Sequence, residues 1–197
     1  MARYKNLAIV VAAIVLGLGA YIIANGQRNA EDTDREGDIF EMVMPFEDGD
    51  SGFLENFNTL DIEGNEVGSD IFADYKITMV DVWGTYCNPC IAAMPTIQKL
   101  YEEYKDKGMN VIGILCDAQN DDGSPNRDKI LLARDIKNNC GAGFKSLLIS
   151  DNIYYVIQDV TAIPTTFFVD SNGKIISEMY VGGNSFERWS EIINEIL

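Results

Sequence analysis

Residues 77–90 read Ile77-Thr78-Met79-Val80-Asp81-Val82-Trp83-Gly84-Thr85-Tyr86-Cys87-Asn88-Pro89-Cys90. The first seven form a nearly continuous apolar run of strand length, and a helical pattern starts at Asn88 and continues toward Lys107. A strand therefore ends where two cysteines sit at the first turn of a helix. Unpaired backbone N–H groups and the helix dipole favour negative charge there, so a thiolate at that point is stabilised and its pKa falls. Pro89 suits a helix start, having a preset φ and no N–H to lose. A low-pKa thiol with a second thiol one turn further in points to disulfide exchange.

Further along, the pattern alternates. Residues 53–67 read as a hairpin turning at Glu63-Gly64-Asn65, and residues 70–75 as a short helix. Pro95 is expected to kink the cysteine helix, and Gly108 to stop it. Residues 110–115 are an apolar strand after its first residue, Asn110, the mark of a sheet covered on both faces. A helix is expected over 128–138, a short strand over 147–150, a helical turn over 153–158 and a strand over 165–169. A turn at Asp170-Ser171-Asn172-Gly173 leads to a hairpin partner over 174–180, and a last helix closes the chain from 186. This is an α/β layout with a mixed sheet.

The rest of the 197-residue chain is an appendage to that domain. Residues 7–24 are uncharged and almost wholly apolar, about 27 Å as a helix, enough to cross a bilayer core. Arg3 and Lys5 precede the run, which fits a retained signal anchor better than a cleaved signal, because no clean small-x-small site follows. Lipidation is excluded, since no cysteine precedes Cys87. Between residues 31 and 50 nine carboxylates face a single Arg35, which reads as a solvated tether. The organisation is then an anchor over 1–25, an acidic linker over 26–50 and one domain over 51–197. The net charge of −16 argues against nucleic acid, and the lack of any histidine removes Cys-His and Ser-His catalysis and imidazole metal sites.

Trp83-Gly84-Thr85-Tyr86-Cys87-Asn88-Pro89-Cys90, then Met94-Pro95, then Ala162-Ile163-Pro164-Thr165-Thr166-Phe167-Phe168-Val169-Asp170, resembles the thioredoxin superfamily, and within it the membrane-anchored TlpA/ResA-like thiol-disulfide oxidoreductases. The resemblance implies a thioredoxin-like fold: a central mixed sheet flanked by helices, with an N-terminal β-hairpin extension and a single N-terminal transmembrane helix. It also implies that Cys87 is the nucleophile and Cys90 the resolving thiol. Pro164 matches the family's cis-proline, with Ile163 offering its backbone to an extended substrate. Trp83 and Tyr86 flank the motif as candidates for substrate contact; Tyr86 is favoured as a platform and Trp83 as packing under the active-site loop. TlpA/ResA relatives usually carry a glutamate where this chain has Ala93. Asp81, six residues before Cys87, where thioredoxins proper carry a buried aspartate, is the candidate to replace it. A carboxylate in an apolar strand has a raised pKa suited to taking a proton from Cys90. The competing reading is a strand-end residue turned to solvent.

Cys116 and Cys140 leave three options: a structural disulfide, which an oxidising compartment favours, two buried thiols, or a second redox relay. Zinc would need four ligands that the spacing does not offer, so neither a metal nor a cofactor is expected. The expected function is disulfide reduction in proteins outside the cytosol of a bacterium, by a single-pass protein of the cell membrane fed by a membrane electron donor. The alternatives are an oxidase or isomerase of secreted proteins, or a redox-inactive thioredoxin-fold binding module. A peroxidase lacks support, because no Pro-x-x-x-Thr-x-x-Cys element is present.

Overall fold

The computed structural model describes Leu54 and residues 56–197. The expected anchor over 7–24 and the acidic linker lie outside the described residues. Among the described residues no helix is long and apolar enough to cross a membrane.

Two short strands, β1 (Asn58–Leu60) and β2 (Glu66–Gly68), form the hairpin. Asp61 builds its turn: Oδ1 accepts from the backbone N–H groups of Glu63 and Asn65 at 3.0 and 2.9 Å, and Gly64 takes a φ of +89°. Local carboxylate-to-backbone bonds of this kind make Asp a turn residue. A 3-10 turn over Ser69–Phe72 then leads into the main sheet, where a short helix is expected over 70–75.

That sheet has five strands in the order β5-β4-β3-β6-β7. β3 (Ile77–Trp83), β4 (Met109–Leu115) and β5 (Lys145–Leu148) run parallel; β6 (Thr165–Asp170) is antiparallel to β3, and β7 (Tyr180–Val181) is antiparallel to β6. All seven residues of β3 and of β4 are buried, in keeping with their largely apolar runs, and the polar Thr78, Asp81 and Asn110 are buried with them. The helices are α1 (Asn88–Tyr104), α2 (Arg127–Cys140), α3 (Asp151–Ile157) and α4 (Phe186–Ile196). Asn126 and Ser185 cap α2 and α4 by accepting from the N–H of Lys129 and of Arg188, and Gly141 ends α2 in a left-handed conformation (φ +65°).

The hairpin partner expected over 174–180 is mostly not a strand. Ile175 makes one isolated bridge to Val169, and regular pairing resumes only at Tyr180. The reason is local: the Phe168 N–H donates to the Ser177 hydroxyl at 2.9 Å, so a side chain takes a place in the ladder that a carbonyl would hold.

Strand alternation sorts the core into two layers. Met79, Trp83, Val111, Leu115 and Phe168 face one way and pack with Cys90, Met94 and Leu100 of α1, Ala133 of α2 and Trp189 and Ile192 of α4. Val80, Val82, Ile112, Ile114, Phe167 and Val169 face the other way, toward Ile153 and Ile157 of α3 and Phe57 and Phe72 of the N-terminal region. The steps from β3 to β4 and from β4 to β5 move in the same direction across the sheet. Right-handed crossovers therefore put α1 and α2 on the same face.

The β5 edge is covered. Asp61 bridges Leu147, the Ile62 N–H donates to the Ser146 carbonyl at 2.9 Å, and the Thr59 hydroxyl donates to the Leu148 carbonyl at 2.8 Å.

Candidate active site

Cys87 is the N-cap of α1, with Asn88 and Pro89 in the first turn and Cys90 one turn in. The two form a disulfide. The Cys90 N–H donates to Cys87 Sγ at 3.1 Å, so a sulfur holds the position that a Ser or Asp oxygen usually fills. That N–H and the helix dipole behind it are placed to favour negative charge at Cys87 Sγ. Cys87 keeps 5% of its surface exposed and Cys90 none, so Cys87 is the outer sulfur of the pair.

Beside this pair the Ile163–Pro164 peptide bond is cis. The turn is tied by the Thr165 hydroxyl, which donates to the Ala162 carbonyl at 2.7 Å, and by the Gly182 N–H, which donates to the Pro164 carbonyl at 2.7 Å. The Ile163 carbonyl oxygen lies 3.6 Å from Cys87 Sγ. Tyr86 is 68% exposed beside them. It borders a groove of about 150 Å³ lined also by Cys116, Ile157, Val160 and Ile163.

Trp83 is not a substrate contact. It is fully buried, and its indole N–H donates to the Ser146 hydroxyl at 2.8 Å. The ring reaches Ser146 on β5 by lying over β4 at Gly113, where an added Cβ would stand 2.9 Å from Nε1. Its place is the packing beneath the active-site loop.

Asp81 is also buried, 1% exposed, which rules out the solvent-facing reading. It is paired across the sheet with Gly113 on β4 and Thr166 on β6. It shares the strand face of Met79 and Trp83, the face covered by Cys90 and Met94. Oδ1 accepts from the Thr166 hydroxyl at 3.0 Å, and Oδ2 has no partner. Burial pushes this carboxyl up to about 7, against the smaller opposing effect of the Thr166 bond. Ala93 packs partly buried near Gly183.

The expected Cys116–Cys140 disulfide is absent, and both are free thiols. Cys116 follows β4 and packs on the α3 face, whereas Cys140 ends α2 and packs on the α1 face, so the sheet stands between them. Cys140 donates to the Ile91 carbonyl at 3.7 Å. Burial, then the nearby Asp117 carboxylate, push the Cys116 thiol above its ordinary pKa, which disfavours its thiolate.

One element of the site has no signal in the motif. Asp117 accepts from the Thr85 N–H at 3.0 Å and from the Thr85 hydroxyl, and Lys129 lies 3.1 Å from both the hydroxyl and the carboxylate. Burial opposes the charge on Asp117, but the bonds from Thr85 and the Lys129 ammonium hold its carboxyl below the ordinary range. The cluster clamps the loop that carries Tyr86 and Cys87 to the end of β4.

The fold and the sulfur pair define a thioredoxin-fold thiol-disulfide oxidoreductase. The chain belongs to the AhpC/TSA family, which matches residues 53–178. It is similar to thiol-disulfide oxidoreductase ResA of Oceanobacillus iheyensis, with 26% identity over 197 residues covering 98% of this chain and 87% of that protein. ResA of Bacillus thuringiensis subsp. konkukian is 28% identical over 141 residues, covering 72% of this chain and 75% of that one. Among solved structures, a thioredoxin-family thiol:disulfide interchange protein from Chlorobium tepidum superposes with a TM-score of 0.60. It shares 18% identity over 76% of this chain and 98% of its own, a likeness of fold.

Proposed function

We propose that the protein reduces disulfides in proteins outside the cytosol, tethered to the cell membrane by residues 7–24. The carrying observation is the Cys87 sulfur at the cap of α1, beside the Ile163 carbonyl and 5% exposed where Cys90 is fully buried. In the reduced protein the Cys87 thiolate attacks one sulfur of a client disulfide, and the client's other sulfur leaves as a thiolate. Cys90 then loses its proton to Asp81 Oδ2 and attacks Cys87 Sγ, which closes the Cys87–Cys90 disulfide and releases the second client thiolate. Two electrons pass to the client, whose thiolates take protons from water, and a dithiol partner drawing on a membrane electron carrier restores the pair. Ile163 and Pro164 form the rest for the client backbone, which pairs as an added strand, and Tyr86 the platform beside it. The Asn-Pro dipeptide between the cysteines is nearer to the Gly-Pro and Glu-Pro of reducing relatives than to the Pro-His of strong oxidants, which favours the reducing direction.

Replacing Cys90 with Ser stalls the reaction at the mixed disulfide and should leave clients attached to Cys87. A reduction potential near ~−270 mV supports the reducing direction, and one near ~−120 mV would turn the reading to an oxidase. Failure of the reduced protein to turn over insulin disulfides would remove the enzymatic reading altogether.

A further inference from the structure

We propose that Thr166 is a positioning residue that sets the pH at which Asp81 can take the proton of Cys90, by donating its hydroxyl to Oδ1 and leaving Oδ2 as the only acceptor toward the thiol. The proposal rests on the assignment of Asp81 as the proton acceptor.

The geometry isolates this pair. Thr166 and Asp81 are opposite each other in the antiparallel β3–β6 ladder, both 1% exposed, with 3.0 Å between hydroxyl and carboxylate. On the other flank Gly113 offers Asp81 no side chain, and the Ser146 hydroxyl beyond it is engaged by the Trp83 indole. Above lies α1, whose titratable groups in this core are Cys87, Cys90 and Tyr104, with Tyr101 half-buried against it, and Tyr180 of β7 packs on the same core. Its charged residues Lys99, Glu102 and Glu103 are exposed, as are Glu187, Arg188, Glu191 and Glu195 of α4. Lys137 of α2 is buried but bonded to the Phe144 carbonyl. No charged group contributes to the behaviour of Asp81, only burial and Thr166.

A hydroxyl bonds an ionised carboxylate about twice as strongly as a neutral one, so Thr166 selectively stabilises the form able to accept a proton. Without it burial would act unopposed, and Asp81 would hold a proton to higher pH. The Thr-Thr pair after Pro164 thus has divided labour: Thr165 ties the turn through Ala162, and Thr166 reaches back to the strand before the cysteines.

The test is a carbon-13 NMR titration of the Asp81 carboxyl in the oxidised full chain, where the disulfide removes both cysteines from the titration. It is paired with the pH dependence of mixed-disulfide resolution in the reduced protein. Thr166→Val, nearly isosteric, should raise the Asp81 midpoint by about one pH unit, and slow resolution about tenfold at pH values well below the wild-type midpoint. Thr166→Ser should restore both. An unmoved midpoint in Thr166→Val, or a midpoint raised equally in Thr166→Ser, overturns the proposal, as does a resolution profile that stays put while the midpoint moves. Should Thr166→Val not fold, Thr166→Ala removes the same hydroxyl and is read by the same two outcomes. Asp81→Asn tests the underlying assignment separately: it should abolish the pH step in resolution, and retention of the wild-type profile would remove Asp81, and Thr166 with it, from the reaction.

Discussion

Replacing Asp81 with Asn should make the oxidised protein more stable at neutral and alkaline pH, with a pH signature that identifies the cause. Burial lifts the carboxyl from 3.8 to about 7. Between those values the folded chain holds a proton that the unfolded chain has released. Wild-type stability therefore falls as pH rises from about 4 to about 7, at roughly 1.4 kcal/mol per pH unit. Three units of difference amount to about 4 kcal/mol carried by the wild type above pH 7 and absent below pH 4. Asn bears no charge at any pH, so this burden disappears. Its amide still accepts from Thr166, but its N–H groups have no evident partner at the Oδ2 position, an offset on the order of 1–3 kcal/mol that is independent of pH. The decisive quantity is the change with pH of the difference between variant and wild type, from urea unfolding of the oxidised proteins at several pH values between 4 and 8. That difference should grow in favour of the Asp81→Asn variant by about 4 kcal/mol across the range. A difference that is flat, or that grows toward acid, would show that the carboxyl is ionised in the folded state and refute the reasoning.

Thiol counting gives a second check: the oxidised protein unfolded in denaturant should release two reactive thiols, Cys116 and Cys140, and four after reduction. A count of zero before reduction would establish the disulfide that the sheet is seen to prevent. Ser146→Ala leaves the buried Trp83 N–H without its acceptor and should lower unfolding free energy by about 1–3 kcal/mol in chemical denaturation, with insulin reduction close to wild type. Unchanged stability would mean that the indole finds another partner.

The β3 run and the cysteine turn were legible in the sequence because each rests on local chemistry: seven residues of strand length, and a proline and sulfur at a helix start. What the sequence did not reveal lies in the sideways register between strands. The row Thr166–Asp81–Gly113–Ser146 crosses β6, β3, β4 and β5, and none of its pairs is near in sequence. Gly113, one residue of the apolar strand in the sequence, is the space that the Trp83 ring occupies. The Cys116–Cys140 pairing failed for a similar reason. Two cysteines flanking one strand-to-helix segment look close, but the crossover direction places the helix on the face opposite the one toward which Cys116 turns. The strand expected over 174–180 was overridden by the side chain of Ser177, a competitor for ladder bonds that propensity alone does not weigh.

The hairpin over β5 also bears on self-association. An enzyme that handles chains with broken disulfides works among extended segments whose backbone groups are unpaired, and an open sheet edge would recruit them without regard to where their sulfurs lie. Here one edge is occupied by the chain's own Asp61 and Ile62, and the other ends in a strand of two residues, Tyr180–Val181, too short to template a neighbour. The sheet is thereby protected from stacking into ribbons with its clients or with its own copies.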